Sequence, residues 1–187
     1  MPPFTAPTYT YAEAESALGY AFELGLVHQR GTIRSRLKHF QRCGLIELNL
    51  GGKRKAKYSR AQITMWLLAL ILAESGADPV VIVAALRTNW RRIASTLELV
   101  TSDEARSGRP FYLVAYPRVM SGPVVQKPAL TLEVFQLSSP HPFVPMTEQL
   151  RQLRELVAGN SDDMVTLYNL TRIVSRLEIA LPRKAKP

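Results

Sequence analysis

The sequence is poor in the residues that build disulfides, metal sites and membrane spans. Its 187 residues include one cysteine, Cys43, and three scattered histidines, His28, His39 and His141. One cysteine cannot form a disulfide within the chain, and no cluster of cysteine and histidine is present to hold a metal. The most apolar run, Ile63–Ala73, falls short of the about 20 residues that a spanning helix needs. We therefore expect neither a metal site nor a membrane partner.

The motifs of catalysis and export are also missing. No nucleophile motif and no glycine-rich phosphate loop occurs, so we expect no enzyme and no cofactor. The acidic pair Asp162–Asp163 is explained by the preference of helix N-termini for negative charge. Met1–Phe4 contains no basic region before an apolar stretch, so we expect no signal peptide. These features favour a cytoplasmic protein.

Positive charge, by contrast, is abundant and concentrated. The formal net charge is +9 and the pI is about 10.0. Residues 28–60 carry ten lysines and arginines against one acid, Glu47, whereas residues 1–27 carry three glutamates and no base. A solvated basic face is one explanation, and a surface for a polyanion such as nucleic acid is the other. The pattern inside this segment favours the second.

Two helices are predicted before residue 45. We expect residues 1–9 to be a disordered arm, since three prolines interrupt them. Thr10 and Glu13 have the spacing of a capping box and predict the start of the first helix. The second is predicted to follow Thr32 and to end at Gly44, with Ile33, Leu37 and Phe40 spaced as a buried face.

A basic hairpin is predicted next, and then two longer helices. Leu45–Leu50 alternates as a strand does, a Gly-Gly turn follows, and Lys53–Tyr58 forms a cationic return strand. Ser59 and Gln62 repeat the capping-box spacing. Asp78-Pro79 starts the second long helix. Its apolar seam is predicted to cover the domain or, as we favour, to pair with a second copy; it comprises Ile82, Leu86, Trp90, Ile93, Leu97 and Val100.

The composition changes at residue 101, where a polar linker is predicted. Strands are expected at 111–116 and 129–137, with helices starting at Thr147 and at Ser161 or Asp162, the last running to Ala180. The expected fold is mainly α with small β: a winged helix-turn-helix over residues 10–100 with a trailing long helix, then a small α+β effector or oligomerisation region over 101–187.

The order of these elements resembles the DNA-binding domain of the MerR family. Leu37–Ile46 (LKHFQRCGLI) matches the family's Leu-Arg-Tyr-Tyr-Glu-Arg-x-Gly-Leu run, although His39 and Phe40 replace two tyrosines. Lys55–Ser59 matches the end of the family's wing. Over residues 10–90, the resemblance implies a homodimeric, bacterial-type transcription regulator that binds double-stranded DNA, with RNA polymerase as a further candidate partner. Metal sensing is not implied, since residues 101–187 contain no cysteine and one histidine.

The DNA-binding surface is predicted on the second helix and the wing. Arginine, lysine and serine supply donors for base edges and phosphates. For Tyr58, a phosphate contact and packing under the wing stay equal alternatives, and for His39 a plain surface position is favoured over a base contact. Cys43 is expected to be a small buried filler. The predicted DNA-binding residues are Thr32, Arg34, Ser35, Arg36, Lys38, His39, Arg42, Lys53, Arg54, Lys55, Lys57 and Tyr58.

Two functions are thus carried forward. The favoured one is sequence-specific transcription regulation by a nucleoid-associated protein, supported by the element order and the concentrated positive charge. The alternative is an architectural or accessory DNA-binding protein, of a replication, nucleoid or phage type, that docks a protein partner through residues 101–187. The two differ in whether the protein discriminates one duplex sequence from another.

Overall fold

A computed structural model describes residues 8–22, 27–46, 56–74, 76–101, 111–118, 129–136 and 166–182. These residues are mainly helical with little β structure, as the sequence predicted, and they include two small antiparallel sheets. The elements are β1 (Thr8–Tyr9), α1 (Tyr11–Ala21), α2 (Val27–Arg42), β2 (Tyr58–Ser59), α3 (Arg60–Glu74), α4 (Pro79–Thr101), β3 (Phe111–Arg118), β4 (Ala129–Gln136), β5 (Thr166–Asn169) and α5 (Leu170–Ala180).

The chain folds as two compact units. They divide inside α4 after Leu86, whereas the sequence predicts a boundary at residue 100. The first unit comprises Met1–Leu86 together with Ile173–Pro187, and the second comprises Arg87–Arg172. The division falls inside α4, and most of α5 belongs to the first unit. The sequence places its boundary at residue 100 instead, since a polar stretch such as the one after residue 101 marks where a helix ends, but not which residues the helix packs against.

Both predicted capping boxes are confirmed. At the start of α1 the Glu13 N–H donates to Oγ1 of Thr10 at 3.3 Å, and the Thr10 N–H donates to the Glu13 carboxylate at 2.6 Å. Before α3 the Gln62 N–H donates to Oγ of Ser59 at 3.2 Å, and the Ser59 N–H donates to Oε1 of Gln62 at 2.8 Å. Each exchange satisfies two N–H groups that the helix itself leaves without partners.

Helix α2 has the predicted buried face and C-terminus, but it starts earlier than predicted. Ile33, Leu37 and Phe40 are all buried. The Gly44 N–H donates to the Gln41 carbonyl and the Leu45 N–H to the Phe40 carbonyl, both at 3.0 Å. With Gly44 at φ 81°, this is a Schellman ending, which favours glycine. The helix begins at Val27 rather than after Thr32, because an interior glycine weakens a helix by only about 1 kcal/mol and need not end it.

The strand pairing near Tyr58 corrects two expectations. Thr8 pairs with Ser59 and Tyr9 with Tyr58, so Thr8 and Tyr9 do not belong to a disordered arm. Tyr9 is buried, and the burial of its aromatic ring stabilises this short strand pairing. Leu45 and Ile46 form a bend rather than the start of a strand. The rest of the predicted wing, residues 47–55, lies outside the described residues.

Helix α4 begins as predicted. The Asp78 carboxylate accepts the N–H groups of Val80 at 2.8 Å and Val81 at 3.3 Å, and Pro79 is the first helical residue. Four positions of the long seam are buried among the described residues, and pairing of the seam with a second copy stays a prediction. They are Ile82, Leu86, Ile93 and Leu97.

The second unit contains a three-stranded sheet in the order β4-β3-β5. The strands expected at 111–116 and 129–137 are confirmed as β3 and β4, and they pair antiparallel with Leu113 opposite Val134. The last helix was placed wrongly: it starts at Leu170, and the residues before it form β5. The Asn169 side chain accepts the Arg172 N–H at 2.9 Å and marks that start. The helix expected at Thr147 and the pair Asp162–Asp163 lie outside the described residues.

In the part of the chain that the structure describes, no helix combines the length and apolar character required to cross a membrane.

Candidate nucleic-acid interface

The outward side of α2 carries three polar residues that follow one another at helical spacing. Ser35, Lys38 and Arg42 are all exposed, and spacings of three and four place them on one face. The buried face of α2 belongs to a core shared with α1 and α3, and all three pairs of these helices are in contact. Lys38 and Arg42 form no hydrogen bond or ion pair with a described residue. We call Ser35, Lys38 and Arg42 the basic crest.

Arg34 lies beside the basic crest and is held by α1. Its Nε donates to Oε1 of Glu15 at 3.1 Å, and its Nη2 donates to Oε2 at 2.9 Å. The Glu15 side chain is 11% exposed, and that of Arg34 is 58% exposed. The hydrogen bond to Glu15, and then the negative charge of Glu15, raise the pKa of Arg34 above its ordinary value. The structure thus places Arg34 in an ion pair, and its predicted contact with DNA stays a prediction.

Arg36 is paired on the opposite side of the basic crest. Its guanidinium forms an ion pair with Glu74, near the end of α3. Both side chains are substantially exposed, and a pair of this kind contributes about 0–1 kcal/mol to stability. Two of the predicted DNA-binding arginines therefore connect α2 to the neighbouring helices, one on each flank.

Tyr58 packs in the core, which is one of its two predicted roles. The residue is 3% exposed, and its ring centroid lies 4.7 Å from that of Trp66 and 6.2 Å from that of Tyr11. Its hydroxyl accepts a hydrogen bond from Nε2 of Gln41 at 3.1 Å. Its burial and its bond to Gln41 favour the packing role of Tyr58 over a phosphate contact.

The remaining predicted site residues fall into three groups. Thr32 and Lys57 are exposed, as a contact to DNA requires. His39 is exposed, and its Nε2 lies 3.7 Å from Sγ of Cys43. Cys43 is partly exposed, whereas the sequence predicts a small buried residue there. Among the described residues no group of three or more potential ligands could hold a metal ion. Lys53, Arg54 and Lys55 lie outside the described residues.

The residues that sequence reasoning missed are those that hold the surface in place. Glu15 and Glu74 hold the two flanking arginines, and Gln41 connects α2 to β2 through the Tyr58 hydroxyl. Glu15 pairs across 19 positions and Glu74 across 38. No local sequence pattern indicates such partners. The only available signal is that acidic residues occur on the helices before and after the basic helix α2.

Tyr11 carries a buried hydroxyl beside this surface. The hydroxyl has no hydrogen-bond partner among the described residues, and the ring lies edge-on to Trp66 at 6.0 Å. Burial, and then the negative charge of Glu15, raise the pKa of Tyr11 above its ordinary value of 10.0. The neutral form is favoured in the folded protein because burial and Glu15 together outweigh the opposing effect of Arg34.

Replacing Tyr11 by phenylalanine is expected to raise the free energy of unfolding by about 1 kcal/mol at neutral pH, since an unsatisfied buried hydroxyl is removed. A raised folded-state pKa leaves stability intact below pH 10 and reduces it as the pH rises through the folded-state value. The variant should therefore lose less stability than the wild type in that alkaline range. Urea unfolding as a function of pH measures this, with Tyr20→Phe as the control because Tyr20 is exposed on the same helix. Equal alkaline losses in the wild type and the Tyr11 variant would contradict the assignment.

No protein-family model matches this chain, and no curated protein matches it either. The resemblance to the MerR family therefore stays a prediction from the residues quoted above.

Proposed function

We propose that this protein is a sequence-specific regulator that binds double-stranded DNA by placing α2 in the major groove, as part of a winged helix-turn-helix. The observation that carries the proposal is the basic crest. Its lysine and arginine are exposed and have no partner among the described residues, on a helix whose opposite face is buried. Charged side chains without protein partners, aligned along one helix, are available to a polyanion.

The dimensions of a helix support this arrangement. An α-helix with its side chains is about 10–12 Å wide, and the major groove of B-DNA is about 12 Å wide. Arg42 can donate two hydrogen bonds to a guanine edge, while Lys38 and Ser35 can serve base edges or phosphates. The Schellman ending at Gly44 stops the helix directly after Arg42, so the basic crest extends to the end of the element.

The wing and the dimer are parts of the same proposal that rest on the sequence. Lys57 precedes β2 and is exposed, and Lys53, Arg54 and Lys55 would extend the positive charge along the flanking backbone or minor groove. A homodimer would contact two half-sites separated by one helical turn of DNA. RNA polymerase is the further partner that the MerR resemblance implies.

The test is the affinity of the full chain for a selected duplex and for a random duplex, measured at one fixed salt concentration. Duplexes are first selected from a random pool by repeated capture with the tagged protein. A sequence-specific regulator is expected to bind the selected duplex about a thousandfold more tightly, or better. Equal binding to both would contradict specificity and favour the architectural or accessory alternative, and binding to neither would contradict DNA binding itself.

A further inference from the structure

We infer that Glu15 is a positioning residue. By binding Nε and Nη2 of Arg34, it leaves the far edge of the guanidinium, formed by Nη1 and Nη2, able to donate two hydrogen bonds to a guanine of the bound DNA. The inference deepens the proposed DNA-binding function and rests on it. It assigns a role to α1, a helix for which the sequence suggested no part in DNA recognition.

The first step concerns which donors of Arg34 stay available. A guanidinium has five N–H groups in a planar fork. The contacts with Glu15 use Nε and one side of Nη2. This leaves both N–H groups of Nη1 and one of Nη2, which together form the outer edge. That edge presents two parallel donors, the arrangement that matches the O6 and N7 acceptors of guanine in the major groove.

The second step concerns where this edge lies. Arg34, Lys38 and Arg42 follow one another at intervals of four residues, so each is displaced by about one turn along the same side of α2. Arg34 thus extends the line of the basic crest towards α1, and its side chain is more than half exposed. An arginine placed in this line meets the same groove as the basic crest.

The third step concerns what Glu15 contributes. Its side chain is only 11% exposed and therefore has limited freedom to move, whereas a long exposed arginine would otherwise sample many rotamers. Fixing the arginine before binding reduces the entropy lost when DNA is bound. The same carboxylate places a negative charge close to the DNA, which weakens attraction to any duplex. Glu15 should therefore favour the correct sequence at the expense of general affinity.

These two effects make opposite predictions for Glu15→Gln, and this is the test. If Glu15 were only a nearby charge, its removal would tighten binding to every duplex. If Glu15 positions Arg34, the variant should bind the random duplex equally well or more tightly but the selected duplex less tightly. We expect the ratio of the two affinities to fall by about tenfold, the lower end of the discrimination that a bidentate contact provides. An unchanged ratio would overturn the inference.

Three further measurements separate positioning from structural damage. Glu74→Gln, which removes the same charge from the other flanking pair, should leave the ratio unchanged. In an Arg34→Ala background, Glu15→Gln should cause no further fall in the ratio. Replacing single guanines by 7-deazaguanine in the selected duplex removes the N7 acceptor. At the guanine that Arg34 contacts, the wild type should lose affinity, whereas the affinity of Glu15→Gln should change little. If no guanine gives a loss in the wild type that Glu15→Gln lacks, the guanine assignment for Arg34 is wrong.

The outcomes also distinguish this inference from the proposed function. A wild type that does not discriminate between the duplexes overturns both. A wild type that discriminates, beside a Glu15→Gln variant that discriminates equally well, overturns the role of Glu15 alone. Circular dichroism melting of each variant shows whether it is folded, and Arg34→Lys, which keeps the charge but not the fork, should reduce the ratio in a protein that keeps the ion pair.

Discussion

Replacing Lys38 and Arg42 by alanine is expected to weaken binding to the selected duplex by about 1–3 kcal/mol for each residue that contacts a base. Both side chains are exposed, and neither has a protein partner among the described residues, so their removal should leave the fold unchanged. Arg42→Ala should also relax sequence preference, because arginine can grip a base edge. A residue that contacts only phosphate should instead weaken binding to all duplexes alike and lower the salt slope by about one.

The control for this prediction is Arg91→Ala. Arg91 is exposed on α4, and its replacement removes the same charge. The variant therefore shows how much of the loss in affinity comes from net charge alone. Fluorescence anisotropy with labelled selected and random duplexes, over a series of salt concentrations, gives affinity and salt slope together. If Arg42→Ala and Arg91→Ala weaken binding equally, the basic crest is not the contact surface and α2 does not enter the groove.

Replacing Trp66 by alanine is expected to lower the free energy of unfolding by about 3–5 kcal/mol. The indole is fully buried in α3 and contacts the rings of Tyr11 from α1 and Tyr58 from β2. Its loss opens a cavity where these elements meet, and the neighbouring rings can close it only in part. A domain with a stability of about 5–15 kcal/mol would lose a large fraction of it.

Urea unfolding followed by far-UV circular dichroism measures this loss, with an unchanged slope as evidence that the change lies in stability. Tyr20→Ala is the matched control, since Tyr20 is an aromatic residue on α1 that is 57% exposed. Its effect should stay within about 0.5 kcal/mol, as for other surface positions. Should Trp66→Ala cost no more than Tyr20→Ala, the three rings would not form the junction between α1, β2 and α3.

The features that could be predicted are those whose physical cause lies within a few residues. The capping boxes at Thr10 and Ser59 exchange hydrogen bonds over three positions. The buried face of Ile33, Leu37 and Phe40 follows from the helical repeat, and Gly44 follows from the left-handed backbone that ends α2. Of the candidate site, the exposure of Lys38 and Arg42 could be predicted in the same way.

The features that could not be predicted depend on which surfaces meet. Tyr58 has the same sequence neighbours whether it faces DNA or Trp66, and only the approach of α1 and α3 buries it. The pairing of β1 with β2 joins residues about 50 positions apart along the chain. The division inside α4 likewise follows from packing, since a continuous helix gives no local signal of where its neighbours change.

The sequence by itself determined the starts of α1, α3 and α4, the inward face of α2 and the concentration of positive charge in residues 28–60, because each follows from residue type and short spacing. The tertiary structure alone decided which of those charges are available. Arg34 and Arg36 form ion pairs with acids from two other helices. Lys38 and Arg42, on the face of α2 that lies between these two arginines, have no partner among the described residues. A charge is encoded by its residue, but its partner is set by chain segments that only folding brings within hydrogen-bond distance.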